Sequence, residues 1–277
     1  MVRRGRLKSY VYLIFVSFVA FCKGNCAVLL TNGFAHNDYE HKRPLLDALE
    51  LGFCAVEADI YLVNGQLLVG HDAADLKPDR TLISLYLGPL AQRVHKNGGS
   101  VYPHGPEFLL LIDVKSEADA TYQQLKSVLT NYSDLLTTFT GDSIRTNAVT
   151  IIISGNRPTE MASRENTRVA AIDGRANDLD HNPPLPLIPL VSDIWTKFSH
   201  WKGKGEIPDA DRSRIAELVR RAHEQKRKLR LWGAPDTPDS WKLQQALGID
   251  LINTDKLADF AKYAASSSPS PGGKGGL

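Results

Sequence analysis

The 277-residue sequence has only three cysteines, and two of them, Cys22 and Cys26, fall in a leader-like N-terminal stretch. Cys54 is left alone in the body, so a disulfide framework is excluded. Its neighbours Ala55 and Val56 make it a small buried side chain, not a nucleophile. Long apolar runs are also scarce. The run from Val11 to Cys22 is short of the roughly 20 residues a membrane span requires. Preceded by Arg3, Arg4, Arg6 and Lys8 and followed by Gly24 and Ala27, it reads as a cleaved secretory signal over residues 1–26, with an uncleaved signal anchor as the alternative. A secreted or extracytoplasmic destination is the expectation. No charge of one sign dominates: loss of Arg3, Arg4, Arg6, Lys8 and Lys23 with such a leader takes the formal charge from +2 to −3. That excludes basic capture of nucleic acid. Internal repeats are absent.

What remains is an alternation of short β-type runs with amphipathic stretches, the pattern of a parallel α/β fold. Eight runs qualify: Val28–Phe34, Cys54–Ile60, Phe108–Val114, Ala148–Ile153, Val169–Asp173, Leu187–Val191, Lys228–Leu231 and Leu251–Asn253. Helical spacing marks Arg43–Leu51, Glu117–Leu129, Asp211–Gln225 and Pro238–Leu247. A doubly wound open sheet has the same alternation, but no Gly-rich phosphate loop follows the first strand. The pattern predicts a single TIM-type (β/α)8 barrel over residues 27–264, ahead of a Ser/Pro/Gly-rich disordered tail at 265–277. Asn64-Gly65 between two apolar runs predicts a two-residue hairpin directly after the second strand. The stretch 73–106, with a short helical pattern around Ser84–Val94, is expected to flank the barrel mouth.

The chemistry-bearing residues cluster at strand ends. Glu57 and Asp59, two apart, share one face of the second strand, and Asp113 ends the third. Carboxylates in so apolar a setting are costly to bury unless they are paired or bind metal, and hard oxygen donors suit Mg²⁺ or Ca²⁺. Lys115, two residues beyond Asp113, either contacts a phosphate or forms a strand-end salt bridge with Asp113 or Glu117. His36 ends the first strand and His71 follows the hairpin. Two imidazoles across a phosphodiester can divide general-acid and general-base work. His41, His95, His104, His181, His200 and His223 lack strand-end placement, and Asp178, Asp180 and His181 read as loop.

The segments Ala35-His36-Asn37-Asp38, Val56-Glu57-Ala58-Asp59-Ile60, Val69-Gly70-His71-Asp72, Ile112-Asp113-Val114-Lys115 and Leu229-Arg230-Leu231-Trp232, with Asn253-Thr254-Asp255, resemble the glycerophosphodiester phosphodiesterase and phosphatidylinositol-specific phospholipase C superfamily. The form His36 to His41 looks most like the branch related to fungal altered-inheritance-of-mitochondria protein six. The resemblance implies a metal-dependent phosphodiesterase acting on glycerophosphodiester or lysophospholipid-like substrates. His36 and His71 would be its acid/base pair, and Glu57, Asp59 and Asp113 the ligands of one Mg²⁺ or Ca²⁺. Lys115 would meet the phosphate, and Trp232 would line the substrate mouth or simply pack. Two departures stand out: Asn37 replaces the usual Arg, and Asp113 replaces the commoner Glu. Arg157 and Arg175, each after a predicted strand, are candidates to restore the guanidinium. A lyase forming a cyclic phosphate in the manner of phospholipase D or sphingomyelinase D, and a non-catalytic lipid- or phosphate-ester-binding barrel, are the rival readings. A monomer with at most transient membrane-surface contact is expected.

Overall fold

A computed structural model describes residues 28–267; the leader at 1–26 and residues 268–277 of the expected tail lie outside the described residues. Eight strands carry the fold: β1 (Leu30–Ala35), β2 (Phe53–Val63), β3 (Phe108–Val114), β4 (Val149–Gly155), β5 (Ala170–Gly174), β6 (Leu190–Ile194), β7 (Lys228–Trp232) and β8 (Ile252–Thr254). Each pairs in parallel with its neighbour in sequence, and β8 returns to β1 with Gly33 opposite Ile252. Between β7 and β8 the ring closes through one parallel bridge, Arg230 to Leu251. The result is the expected (β/α)8 barrel, nearly closed.

The helices form where capping and periodicity agree. Glu117 accepts from the backbone N–H of Asp119 and Ala120, opening Ala118–Thr130, which buries Thr121, Leu125 and Leu129 at four-residue spacing. Thr237 and Pro238 open Pro238–Leu247, and Gly248 at φ 85° ends it. Leu257–Ser267 is a helix the periodicity reading passed over; it runs three residues beyond the expected domain end. Three short strands, Thr138–Thr140, Ser143–Arg145 and Thr167–Arg168, were also missed and form a small antiparallel sheet. From it, buried Phe139 enters the inner barrel cluster.

Strand period two sorts the barrel into layers. Phe34, Ala55, Leu109, Leu111, Ile152, Ala171, Leu190 and Leu251 fill the interior, while Val56, Ala58, Leu110, Ile112, Ile151 and Ile153 face outward in the larger core. Further along the inward phase, at the C-terminal ends of the strands, apolar residues give way to His36, Glu57, Asp59, Asp113, Ser154, Asp173 and Arg230. The hairpin adds one more group. Asn64 and Gly65 take φ 49° and 77°, the positive-φ pair of a type I′ turn. The following strand, Gln66–Val69, pairs antiparallel with β2 from Val63↔Gln66 to Ile60↔Val69. It brings His71 back beside Asp59.

The expected helix over Arg43–Leu51 shortens to Leu46–Glu50. Its entry is held by Asp38, fully buried, whose Oδ2 accepts from Leu45 N–H at 2.5 Å and Tyr86 O–H at 2.9 Å. Leu45 has φ 63°, a positive φ that needs such support in a residue with a side chain. Burial pushes the Asp38 carboxyl up to about 6, opposed by those two donors. Because the folded value lies above the unfolded one near 3.9, the folded state retains the proton longer. The contribution is complete below about pH 4 and is lost as pH rises to about 6, a change of up to about 3 kcal/mol. Asp38→Asn is expected to flatten this part of the stability profile, measured by urea unfolding from pH 4 to 7; a slope equal to wild type's refutes the assignment.

Candidate active site

The strand-end groups line a single cavity of about 320 Å³. Of the sequence-selected residues, His36, Glu57, Asp59, His71, Asp113, Lys115, Arg175 and Trp232 border it, with Asn37 beside them. Arg157 does not. Its Nη1 donates to the Asp173 carbonyl at 2.8 Å and to Asp178 Oδ2 at 3.3 Å.

Each histidine is held by Nδ1. His36 Nδ1 lies 2.8 Å from Asp255 Oδ1, and since a carboxylate only accepts, that nitrogen carries the proton. Its Nε2 is 3.8 Å from Glu57 Oε2. Burial pulls the His36 pKa down, but the Asp255 hydrogen bond and the Glu57 charge outweigh it, so the net direction is up. His71 Nδ1 sits 3.2 Å from Asp59 Oδ2 and 3.0 Å from the Tyr39 hydroxyl, which also reaches Asp59 Oδ2 and Asn37 Oδ1, both at 2.8 Å. Both rings therefore keep Nε2 as the nitrogen free for chemistry.

Glu57, Asp59 and Asp113 each offer an oxygen within 4.8 Å of the others. Glu57 and Asp59 are buried, and Asp59 Oδ1 has no hydrogen-bond partner. Burial raises the Glu57 carboxyl, with Arg230 and His36 pulling the other way; burial likewise raises Asp113, opposed first by Lys115. An orphaned buried oxygen among carboxylates strained against ionisation is the donor set a hard divalent cation relieves, so these residues fit Mg²⁺ or Ca²⁺. Lys115 Nζ lies 3.1 Å from Asp59 Oδ2 and 3.3 Å from Asp113 Oδ1.

Besides Ser154 at the cavity wall and Asp255 behind His36, three groups escaped the sequence reading. Arg230, 3% exposed, donates from Nη2 to Glu57 Oε2 at 2.9 Å and from Nε to Asn253 Oδ1 at 2.7 Å, with its guanidinium 4.1 Å above the Phe34 ring. Tyr39 links Asp59 to His71. Asp173, fully buried, accepts from Ser154 Oγ at 2.8 Å and Arg175 Nη1 at 2.9 Å. The available signal was a polar residue in the inward phase at a strand end, as for Ser154, Asp173 and Arg230.

Gly155 allows Asp113 its position. It has φ 68°, and a Cβ there would drive into Asp113 Oδ1 and the Val114 carbonyl. Gly155→Ala is expected to cost about 1–3 kcal/mol of stability and to weaken cation binding, read by thermal melts with and without Mg²⁺ or Ca²⁺. Unchanged melting in both conditions counts against the close packing.

Solved glycerophosphodiester phosphodiesterases share the fold. One from Parabacteroides distasonis superimposes with a TM-score of 0.51 at 14% identity, covering 86% of this chain and 98% of that one. One from Agrobacterium tumefaciens gives 0.52 at 12% identity, over 85% and 100%. At these identities the shared feature is the barrel fold. The sequence makes the family particular: residues 26–172 match the AIM6-like phosphodiesterase domain, and the chain belongs to that family. It is 30% identical to altered inheritance of mitochondria protein 6 of Eremothecium gossypii, over 85% of this chain and 70% of that protein. The Saccharomyces cerevisiae protein of the same name is also 30% identical, over 80% and 68%.

That shared name corrects one expectation. These relatives are named for mitochondria, and the secreted or extracytoplasmic destination read from the leader-like stretch is set aside on that finding. The charge cue misled because Arg-rich, acid-free N-termini occur in mitochondrial as well as secretory leaders.

Proposed function

We propose that the chain is a metal-dependent phosphodiesterase that cleaves glycerophosphodiester or lysophospholipid-like substrates by histidine acid/base catalysis. The observation that carries this reading is the pairing of two histidines, both fixed through Nδ1, with three carboxylates that include a buried, unpartnered oxygen. One histidine takes the proton of the attacking hydroxyl or water, and the other returns one to the departing oxygen. Lys115 and Arg175 face the same cavity and supply positive charge to the phosphate. A divalent cation held by Glu57, Asp59 and Asp113 would offset negative charge developing at phosphorus. On this reading the chain acts as a monomer. Trp232, 38% exposed at the cavity rim, gives it any brief contact with a membrane surface.

The test is release of phosphomonoester or cyclic phosphate from glycerophosphocholine, glycerophosphoinositol and lysophosphatidylcholine, with Mg²⁺, Ca²⁺ or EDTA. Turnover that needs the cation and disappears in Asp59→Asn is the expected result. No turnover across the panel refutes the reading. A product one water lighter than the phosphomonoester assigns attack to a hydroxyl of the substrate.

A further inference from the structure

The hairpin that carries His71 has a second cavity behind it, of about 470 Å³. That is within the about 300–1,000 Å³ typical of small-molecule pockets. Among the described residues His71 alone lines both this cavity and the one at the barrel mouth. Its ring, with a side chain 53% exposed, is thus a wall between two compartments. The remaining lining mixes charged and polar side chains with Val69, Ala74 and Leu76. Glu40, Asp75 and Lys77 line it and, among the described residues, form no ion pair or side-chain hydrogen bond, and His41 adds an imidazole. Arg80 is engaged, since its Nη2 donates to the Tyr39 carbonyl.

A phosphodiester has two arms, and a phosphorus centred between His36 and His71 must send them in different directions. The mouth cavity already has to hold the phosphoryl group beside the carboxylates. Its open rim toward Trp232 and Gly233 presents an indole and backbone, which suits an apolar or thin arm. The side beyond His71 presents both signs of charge without internal partners, which suits an arm rich in hydroxyl or ammonium groups.

Resting on the phosphodiesterase reading, we propose that the cavity behind His71 is the subsite for a polar alcohol arm of the substrate, a polyol or an amino alcohol, bound by Glu40, Asp75 and Lys77. The substrate class is a diester with at least one strongly polar arm.

The experiment compares glycerophosphoglycerol and glycerophosphoethanolamine with bis(p-nitrophenyl) phosphate, which has no polar arm, in wild type, Glu40→Ala and Asp75→Ala/Lys77→Ala. These side chains are exposed, so folding is undisturbed. The ratio of kcat/KM for the polar diesters to that for bis(p-nitrophenyl) phosphate is expected to fall by about tenfold or more in each variant, through KM. A ratio within about twofold of wild type in both variants overturns the subsite. Wild type that cleaves bis(p-nitrophenyl) phosphate but neither polar diester also overturns it, and leaves the phosphodiesterase reading standing. Wild type that cleaves none of the three with any of Mg²⁺, Ca²⁺ or Mn²⁺ removes that reading itself.

Discussion

Alanine at His36 or at His71 is expected to lower phosphodiester turnover by about 10²- to 10⁴-fold, the usual yield of a positioned acid or base. Stability should hardly change. The two side chains are 26% and 53% exposed, so neither fills a core position that would collapse. The loss should appear in kcat more than in KM, because the proton is transferred in the transition state while ground-state binding falls to other groups. Removing both histidines should cost little more than removing one, since they act as a unit. Substantial turnover in either single variant withdraws that histidine from the chemistry. A coincident fall in melting temperature would instead assign it a structural role.

Arg230→Met should produce the largest loss of stability at the site, about 3–5 kcal/mol, the range for leaving one member of a buried ion pair alone. Arg230 and Glu57 are 3% and 4% exposed, and among the described residues the only other basic side chain paired with Glu57 is His36 at 3.8 Å. Methionine matches the stem of arginine but leaves the carboxylate in a place where ionisation is already penalised. In a domain of this size the change corresponds to a fall in Tm of roughly 10 °C. Two controls locate the cause. Arg230→Met with Glu57→Gln should recover much of the loss, because no uncompensated charge is left. A divalent cation should stabilise Arg230→Met more than wild type, because it takes over neutralisation of Glu57. If the double variant is as unstable as the single one, packing on Phe34 is the role of the guanidinium, and the ion pair is incidental.

The contrast between Arg230 and Glu57 shows how far the sequence could be read. Glu57 and Asp59 were legible because period two places both on one face of an apolar strand, and Asp113 repeats that arrangement one strand on. Each of these inferences stays within a few residues. Arg230 in Lys-Leu-Arg-Leu-Trp looks like an ordinary solvated strand residue. Only closure of the ring next to β1 brings it to Glu57, 173 residues away in the chain. Asp255 reaches His36 across 219 residues for the same reason. Asn64-Gly65 announced its hairpin because few sequences tolerate two successive positive φ values. The strands near 140 and 167 span only two or three residues, and Ser143–Arg145 is exposed throughout, so no alternation could mark them. Arg157 and Arg175 were indistinguishable as post-strand arginines. The turn Ala176–Asp180, whose Asp178 engages Arg157, separates them.

The type I′ hairpin also acts as a ruler. Its ladder runs without irregularity from Val63↔Gln66 to Ile60↔Val69, so the number of residues between Asp59 and His71 fixes where the imidazole arrives. One residue inserted while the turn keeps its two-residue form would reverse the parity of the returning strand, turning His71 away from Asp59 and Leu67 and Val69 out of the core. A pair inserted there restores the parity, adding one residue to each arm and about 3.4 Å at the tip. Natural length variation between residues 59 and 71 should therefore come in pairs at the hairpin tip.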